Sequence, residues 1–204
     1  KPAVLKTVRG GYDGKGQALV DSPDGAADAF AALGEAECIL ERRVTLALEL
    51  SVIVCRAVDG TVACYAPGQN VHVDGILSTT TLPAAIDAGM TARARTVAAA
   101  TAEALGYVGV LGVELFVTGD DEILVNELAP RPHNSGHYTL DAAATTQFEQ
   151  QVRLLCGFGP GSTELLSPVA MVNLLGDLWR NGAPDWSRVF ATPGAYLHLY
   201  GKRQ

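Results

Sequence analysis

Residues 109–131 read "GVLGVELFVTGDDEILVNELAPR", and the fold turns on how this stretch pairs with itself. In its first half Leu111, Val113, Leu115 and Val117 alternate, which predicts a strand with one apolar face and leaves Glu114 on the other. Gly119, Asp120 and Asp121 supply a turn, and "EILVNEL" resumes as a second strand, so the spacing predicts a hairpin of strands over 108–117 and 122–127. A turn centred between Asp120 and Asp121 sets Glu114 directly across from Glu127. Opposed like charges destabilise a sheet, and in a partly buried place one carboxylate must take up a proton or find a cation. A divalent metal is such a cation, and Asn126 and Glu127 offer hard oxygens of the kind magnesium uses while it bridges phosphates. A register displaced by one residue sends Glu127 to the face opposite Glu114 instead. The hairpin alone leaves both readings open.

Past the second acid the chain becomes irregular, "NELAPRPHNSGHYT", placing Arg131, His133, Asn134, Ser135 and His137 in one loop. One such histidine would be an ordinary structural residue. Several donors converging beside a metal site suit anion and substrate binding.

Working outward, strands are expected over 3–8 and 17–20, with Ser22-Pro23 opening a helix that runs to Gly34. "ECILERR" reads as a strand. "TLALELSVIVCRAVDGTVACYAP" reads as two long strands joined at Asp59-Gly60. "GILSTTTLPA" is extended, an Ala-rich helix spans about 83–106, and a further helix spans about 140–156. "PVAMVNLLG" and "AYLHLY" are late strands. The pattern is α+β and dominated by antiparallel pairs. A lobe boundary falls near 41–45, dividing the chain into 1–43 and 44–204.

At the other end, "LKTVRGGYDGKGQALV" (5–20) is glycine-rich without matching either common nucleotide loop. The phosphate-loop pattern fails because Arg9 stands at its first glycine and Gly16 at its metal-binding hydroxyl. The dinucleotide fingerprint fails at Leu19. A simple Gly-Asp-Gly turn is the plain alternative.

With 204 residues, 48% of them hydrophobic, the chain can bury a substantial core. A net charge of −7 with no Lys/Arg-rich run argues against nucleic acid or an anionic membrane as partner. No apolar run approaches the roughly 20 residues that span a bilayer. Cys38, Cys55, Cys64 and Cys156 are scattered among apolar neighbours, which suggests buried thiols in a reducing cytoplasm. The chain opens on Lys1 directly before a strand and closes on "YLHLYGKRQ", so a piece of a longer protein is expected.

Taken together, "LKTVRGGYDGKGQ", "ECILERRVTLALELSV", "HVDGILSTTTLPA", "EALGYVGVLGVELFV", "VNELAPRPHNSGHYT", "QFEQQVRLL" and "YLHLYGK" resemble, in order, the ATP-grasp superfamily. Within it they resemble the family of 5-(carboxyamino)imidazole ribonucleotide synthases. The resemblance implies an ATP-grasp fold of two lobes built on antiparallel sheets with flanking helices. It implies that Lys6 contacts ATP phosphates and that Gly10, Gly11, Tyr12, Asp13, Gly14, Lys15 and Gly16 form a lid over the triphosphate, with Asp13 near the chemistry. Glu41 and Val44 resemble the adenine-binding hinge and Glu49 the ribose-binding acid. Glu114 and Glu127 resemble the Mg2+ ligands, with Asn126 beside them at the nucleotide. Arg131 and His133 resemble residues lining the carboxylation site, with Asn134 and Ser135 among the substrate-binding groups. Lys202 resembles a lysine that binds the ribonucleotide phosphate.

The implied reaction joins bicarbonate to 5-aminoimidazole ribonucleotide at the expense of ATP, by way of carboxyphosphate, in a cytoplasmic homodimer. The family's N-terminal nucleotide-fold domain has no counterpart in these residues, and Arg42-Arg43 stands where family hinges are less basic. A sister carboxylate-amine ligase, a non-catalytic ATP-binding module and a purely structural domain are the competing readings.

Overall fold

The computed structural model describes residues 1–11 and 15–201. Within them two antiparallel sheets form. The smaller has the order β2-β1-β3, with β1 at Ala3–Thr7, β2 at Gln17–Val20 and β3 at Cys38–Arg42. Its apolar face, Ala3 and Val20, closes on Ala29 of helix α1 (Ala26–Ala32), which follows a 3-10 turn at Pro23–Gly25. The N-terminal hairpin therefore carries the glycine-rich loop between β1 and β2, with Lys6 paired to Gln17 at its base.

The larger sheet runs β10-β7-β6-β4-β8-β9, and β5 pairs with the far end of β4. Its members are β4 (Leu46–Arg56), β5 (Val62–Cys64), β6 (Gly68–Val73), β7 (Ile76–Leu82), β8 (Gly109–Thr118), β9 (Ile123–Ala129) and β10 (Val169–Val172). Period-2 alternation divides the central strands cleanly. Leu50, Val52 and Val54 with Leu111, Val113, Leu115 and Val117 face helix α2 (Ala88–Ala104). That helix presents Met90, Ala94, Ala98 and Ala102 at every fourth position, and the alanines let its backbone lie close on the sheet. Each buried Leu or Val contributes about 1.5–3 kcal/mol, so this layer is the principal core.

The other face of β4 changes character along its length. Ile53 and Cys55, with Val110 and Tyr65, are covered by Leu154 of helix α4 (Gln147–Leu155). Nearer the start of the strand, Ser51 and Glu49 continue the same face as polar groups. This half-covered face positions the site.

Several expectations need correction. The Ala-rich helix begins at Ala88, not near 83, because Asp87 caps it by accepting from Met90 N at 2.6 Å. The helix expected over 140–156 is two pieces, α3 (Thr139–Ala142) and α4, with Ala143 extended and bridged to Leu165. Thr146 supplies the new N-cap by accepting from Glu149 N. The strand β6 was not expected at all. The "AYLHLY" strand does not form: residues 195–200 follow helix α5 (Ser187–Phe190) as irregular chain held by side chains, His198 Nε2 lying 2.7 Å from Asp141 Oδ2. Cys55 and Cys64 are buried, but Cys38 is half-buried and Cys156, just past the end of α4, is exposed.

Candidate active site

The acidic hairpin pairs as expected at its functional end, by a route the spacing did not reveal. Nearest the turn Val117 pairs with Ile123, Phe116 with Leu124 and Leu115 with Val125, one residue off the register that a turn centred between Asp120 and Asp121 gives. The loop is three residues, with Thr118 N bonded to Glu122 O and Asp121 in the left-handed region at φ 59. A bulge then falls between Glu114 and Leu115, Asn126 being the extra residue, and it restores Glu114 opposite Glu127. Bulges re-aim side chains beside functional sites, and this one returns both acids to one face.

Two more groups stand on that face from neighbouring strands. Glu49 of β4 pairs with Phe116 on one side and Asn70 on the other. His72 of β6, just past a second register shift, contacts the Glu49 carboxylate through Nδ1 and lies 4.0 Å from Glu114 Oε1 through Nε2. Beneath them Asn70 Oδ1 accepts from Ser51 Oγ (3.2 Å) and Thr80 Oγ1 (3.0 Å), tying three strands together under the acids.

His133 approaches from the loop after β9, its Nε2 3.6 Å from Glu114 Oε1. Its Nδ1 is 2.8 Å from Ser135 Oγ and accepts from Ser135 N at 3.4 Å. An Nδ1 that accepts leaves the hydrogen on Nε2, facing Glu114. Burial first, then the positive charges of Arg131, His137 and His72, push His133 down to about 4, so it is neutral at physiological pH. Burial pushes Glu114 up to about 7; Glu127 and Glu49 add to this and His72 opposes it. His72 moves upward, chiefly through its hydrogen bond to Glu49, against the effect of its burial. The row thus holds three carboxylates, one of them poised to be protonated, beside one histidine that favours its charged form.

Gly112 of β8 is the floor under His133. A Cβ there would stand 2.7 Å from His133 Cβ and 3.0 Å from its Cγ. Gly112→Ala should therefore displace the loop and cost about 1–3 kcal/mol, as overpacking does. Thermal unfolding reads this as a fall of several degrees, on the order of 2–4 °C per kcal/mol. An unchanged midpoint would show that the loop yields freely.

The remaining expected residues fall as follows. Lys6 Nζ lies 2.7 Å from Glu41 Oε2 across the small sheet. Val44, half-buried, lies between β3 and β4, and Arg43 there pairs with Asp21 at 3.6 Å. Gly10 and Gly16 both have positive φ; Gly16 O accepts from Thr7 N at 2.8 Å, and a Cβ on Gly16 would meet Thr7 Oγ1 at 2.6 Å. Gly11 and Lys15 flank three residues, Tyr12, Asp13 and Gly14, that lie outside the described residues, as does Lys202. Arg131 is exposed and donates to Pro132 O; Asn134 begins a 3-10 turn, its carbonyl bonded to His137 N. Ser135, expected among the substrate-binding groups, is fully buried and turned onto His133. Its polarity in a loop was the signal, and burial redirects it from ligand to imidazole.

Two participants were missed, His72 and Gln147. Gln147, fully buried on α4, clasps the His133 backbone, with His133 N donating to its Oε1 and its Nε2 donating to His133 O. For His72 a signal existed: Asp74-Gly75 lies between alternating runs, the same hairpin dipeptide as Asp59-Gly60. Beyond this row, a cavity of about 580 Å3 is bounded by His137, Leu140, Phe148 and residues 197–200. His137 stacks on Phe148 there, with ring centroids 5.7 Å apart. Among the described residues no group of three His, Cys, Asp or Glu side chains is arranged to hold a metal by itself. Nor is any helix among them long and apolar enough to cross a membrane.

Residues 1–148 match the ATP-grasp domain, and residues 169–204 match the phosphoribosylaminoimidazole carboxylase C-terminal domain. N5-carboxyaminoimidazole ribonucleotide synthase of Bacillus subtilis (strain 168) is 47% identical over 203 residues, covering 100% of this chain and 53% of that protein. A crystal structure of an N5-carboxyaminoimidazole ribonucleotide synthetase in complex with ADP superposes with a TM-score of 0.88 at 46% identity, covering 100% of this chain and 53% of the other. The N5-carboxyaminoimidazole synthase of Aspergillus clavatus, solved with ADP and 5-aminoimidazole ribonucleotide, gives a TM-score of 0.79 at 30% identity over 85% of this chain and 46% of the other. The chain spans about half the length of the curated synthases it matches. The chain belongs to the ATP-grasp domain family, in the branch whose named members are N5-carboxyaminoimidazole ribonucleotide synthases.

Proposed function

We propose that the protein containing this chain carboxylates 5-aminoimidazole ribonucleotide with bicarbonate, converting ATP to ADP and phosphate. The observation that carries this reading is the Glu114–Glu127 pair with His133 fixed beside it, three groups from two strands and one loop on a single face. The names of the relatives and their complexes with ADP and 5-aminoimidazole ribonucleotide support the substrates. Residues 1–43 and 44–204 are then the small and large lobes, and ATP binds between them.

Glu114 and Glu127 fit Mg2+, with Asn126 the bulge residue adjoining Glu127. His72 is engaged by Glu49 and Glu114 is still pushed toward neutrality, so the pair has room for a further cation; magnesium binds through one or two carboxylates plus phosphate oxygens, so a preformed three-residue cage is not required. When bound, the ion neutralises charge on the transferring phosphoryl group. We assign Lys6, Lys15 and the backbone N–H groups of residues 10–16 to the phosphates, and Asp13 to the transfer step. The Glu41–Val44 segment recognises adenine and Glu49 the ribose.

Bicarbonate is a poor electrophile, and phosphorylation to carboxyphosphate activates it. Neutral His133 presents an Nε2–H donor beside the acids, and Arg131 supplies the cation for the bicarbonate anion. Asn134 faces the same substrates, Ser135 holds the imidazole, and Lys202 takes the ribonucleotide phosphate. A cytoplasmic homodimer is the assembly this reading carries.

The test is phosphate release from ATP and bicarbonate by the full-length protein, with and without 5-aminoimidazole ribonucleotide. Release should depend on the ribonucleotide and yield a carboxylated product. Release indifferent to it would point to a sister ligase, and ATP binding with no release to a non-catalytic module.

A further inference from the structure

Helix α4 carries three glutamines, and all three turn their carboxamides onto backbone. Gln147 Oε1 accepts from His133 N at 2.9 Å while its Nε2 donates to His133 O at 2.8 Å. Gln150 makes the same two-bond clasp on Gly161, accepting from its N at 2.8 Å and donating to its O at 3.0 Å. Gln151 Oε1 accepts from Val110 N at 2.7 Å. Gln147 and Gln150 are both fully buried. A buried carboxamide is tolerated when its donors and acceptors are engaged, so each of these is an anchor with a defined geometry.

The two clasps differ in what they hold. Gly161 lies on the loop that leaves α4, where no proposed site residue stands. His133 lies 3.6 Å from Glu114. Gln147 is itself fixed: its N–H donates to Thr139 Oγ1 at 3.0 Å, and that hydroxyl donates to Gly136 O at 2.6 Å. A Cβ on Gly136 would collide with the Gln147 carboxamide and with Ile53, so the loop can lie this close to α4 only with glycine there. Ser135 closes the far side of the imidazole. The chain of contacts runs from the first turn of α4 through one side chain to both peptide groups of His133.

The geometry points to Gln147 as the positioning residue of His133, holding the imidazole at the acid pair for carboxyl transfer and taking no part in nucleotide binding. This rests on the proposed reaction. None of the hydrogen bonds of Gln147 reaches Lys6, Glu41, Glu49 or His72. Loss of the clasp lets the loop drift while the nucleotide groups stay, and a displacement of about 1 Å at a reacting centre costs on the order of 100-fold in rate.

The experiment uses the full-length protein and compares Gln147→Leu with Gln150→Leu, an equally buried clasp on the same helix. Gln147→Leu should lower kcat for ribonucleotide-dependent phosphate release by about 10–100-fold with the KM for ATP changed by less than about 2-fold. Gln150→Leu should lower thermal stability to a similar extent and leave kcat within about 2-fold. Equal losses of kcat in the two variants, or a loss in Gln147→Leu that appears as a raised KM for ATP, would overturn the assignment and make Gln147 a structural anchor only. Should the leucine variants not fold, Gln147→Met and Gln150→Met make the same comparison, since methionine matches glutamine in length and loses both hydrogen bonds of the clasp. A wild-type protein with no ribonucleotide-dependent release refutes the reaction itself, an outcome read before any variant is compared.

Discussion

Glu114→Gln is expected to lower magnesium-dependent phosphate release by the full-length protein by about 100-fold or more, the scale of removing one preorganised electrostatic contact, while the fold survives. Burial already favours the protonated carboxyl, and glutamine has its shape without its charge. The variant therefore removes the charge proposed to hold the metal while keeping the shape of the side chain. The sign of the pH effect follows from linkage. The folded pKa of Glu114 stands at about 7 against an ordinary 4.5, so between those values the folded chain holds more protons than the unfolded one. Its contribution costs nothing below about 4.5, erodes stability as pH rises, and is fully unfavourable above about 7. Without metal, the thermal midpoint of Glu114→Gln should thus gain on the wild type between pH 5 and pH 8. His72 remains held by Glu49 in both proteins, so it does not reverse the trend. Added Mg2+ should restore the wild type more than the variant. Undiminished phosphate release would dissociate Glu114 from the metal, and a metal-free variant that loses ground at pH 8 would show that burial does not raise the Glu114 carboxyl.

How far the site can be read in the sequence depends on how local each signal is. Alternation in 111–117 fixes a strand, its core face and the outward Glu114, because period-2 burial is written residue by residue. The Glu114–Glu127 pairing was reached from a two-residue turn that does not form. The three-residue loop and the bulge at Asn126 displace the register in opposite senses, and neither leaves a composition signal strong enough to place it. β6 escaped notice because Gly68, Gln69 and Asn70 are weak strand formers that the sheet nevertheless recruits between β4 and β7. With β6 went His72, whose meaning comes from acids on two other strands. "AYLHLY" failed for the reverse reason. It alternates well, yet its histidine is spent on Asp141 and no strand takes it up. Gln147 reads in sequence as a polar helix residue; only the closure of the 133–136 loop over α4 shows that it is buried and engaged.

Lys6→Ala should raise the KM for ATP by about 10–100-fold, the equivalent of one charge-assisted contact worth about 1.5–3 kcal/mol, with little change in stability. The small stability effect follows from exposure. The Lys6 and Glu41 side chains are 28% and 42% exposed, and an ion pair so open to water is worth about 0–1 kcal/mol. The functional effect follows from placement. Lys6 pairs with Ile39 and Val4 with Glu41, so lysine and acid are diagonal neighbours on one face of the sheet, at the base of the glycine-rich hairpin. Without nucleotide the carboxylate occupies the ammonium, and a triphosphate must compete for it or share it. Glu41→Gln separates the two roles: it frees Lys6 and keeps the backbone groups through which the Glu41–Val44 segment is proposed to meet adenine, so affinity for the phosphates should hold or rise. Lys6→Ala should also weaken ATP more than ADP if the ammonium meets the terminal phosphate, a difference that titration calorimetry resolves. Were Glu41→Gln and Lys6→Ala to weaken ATP equally, the ion pair itself would be what the nucleotide needs, and Lys6 would be a strut of the small sheet with no phosphate contact of its own.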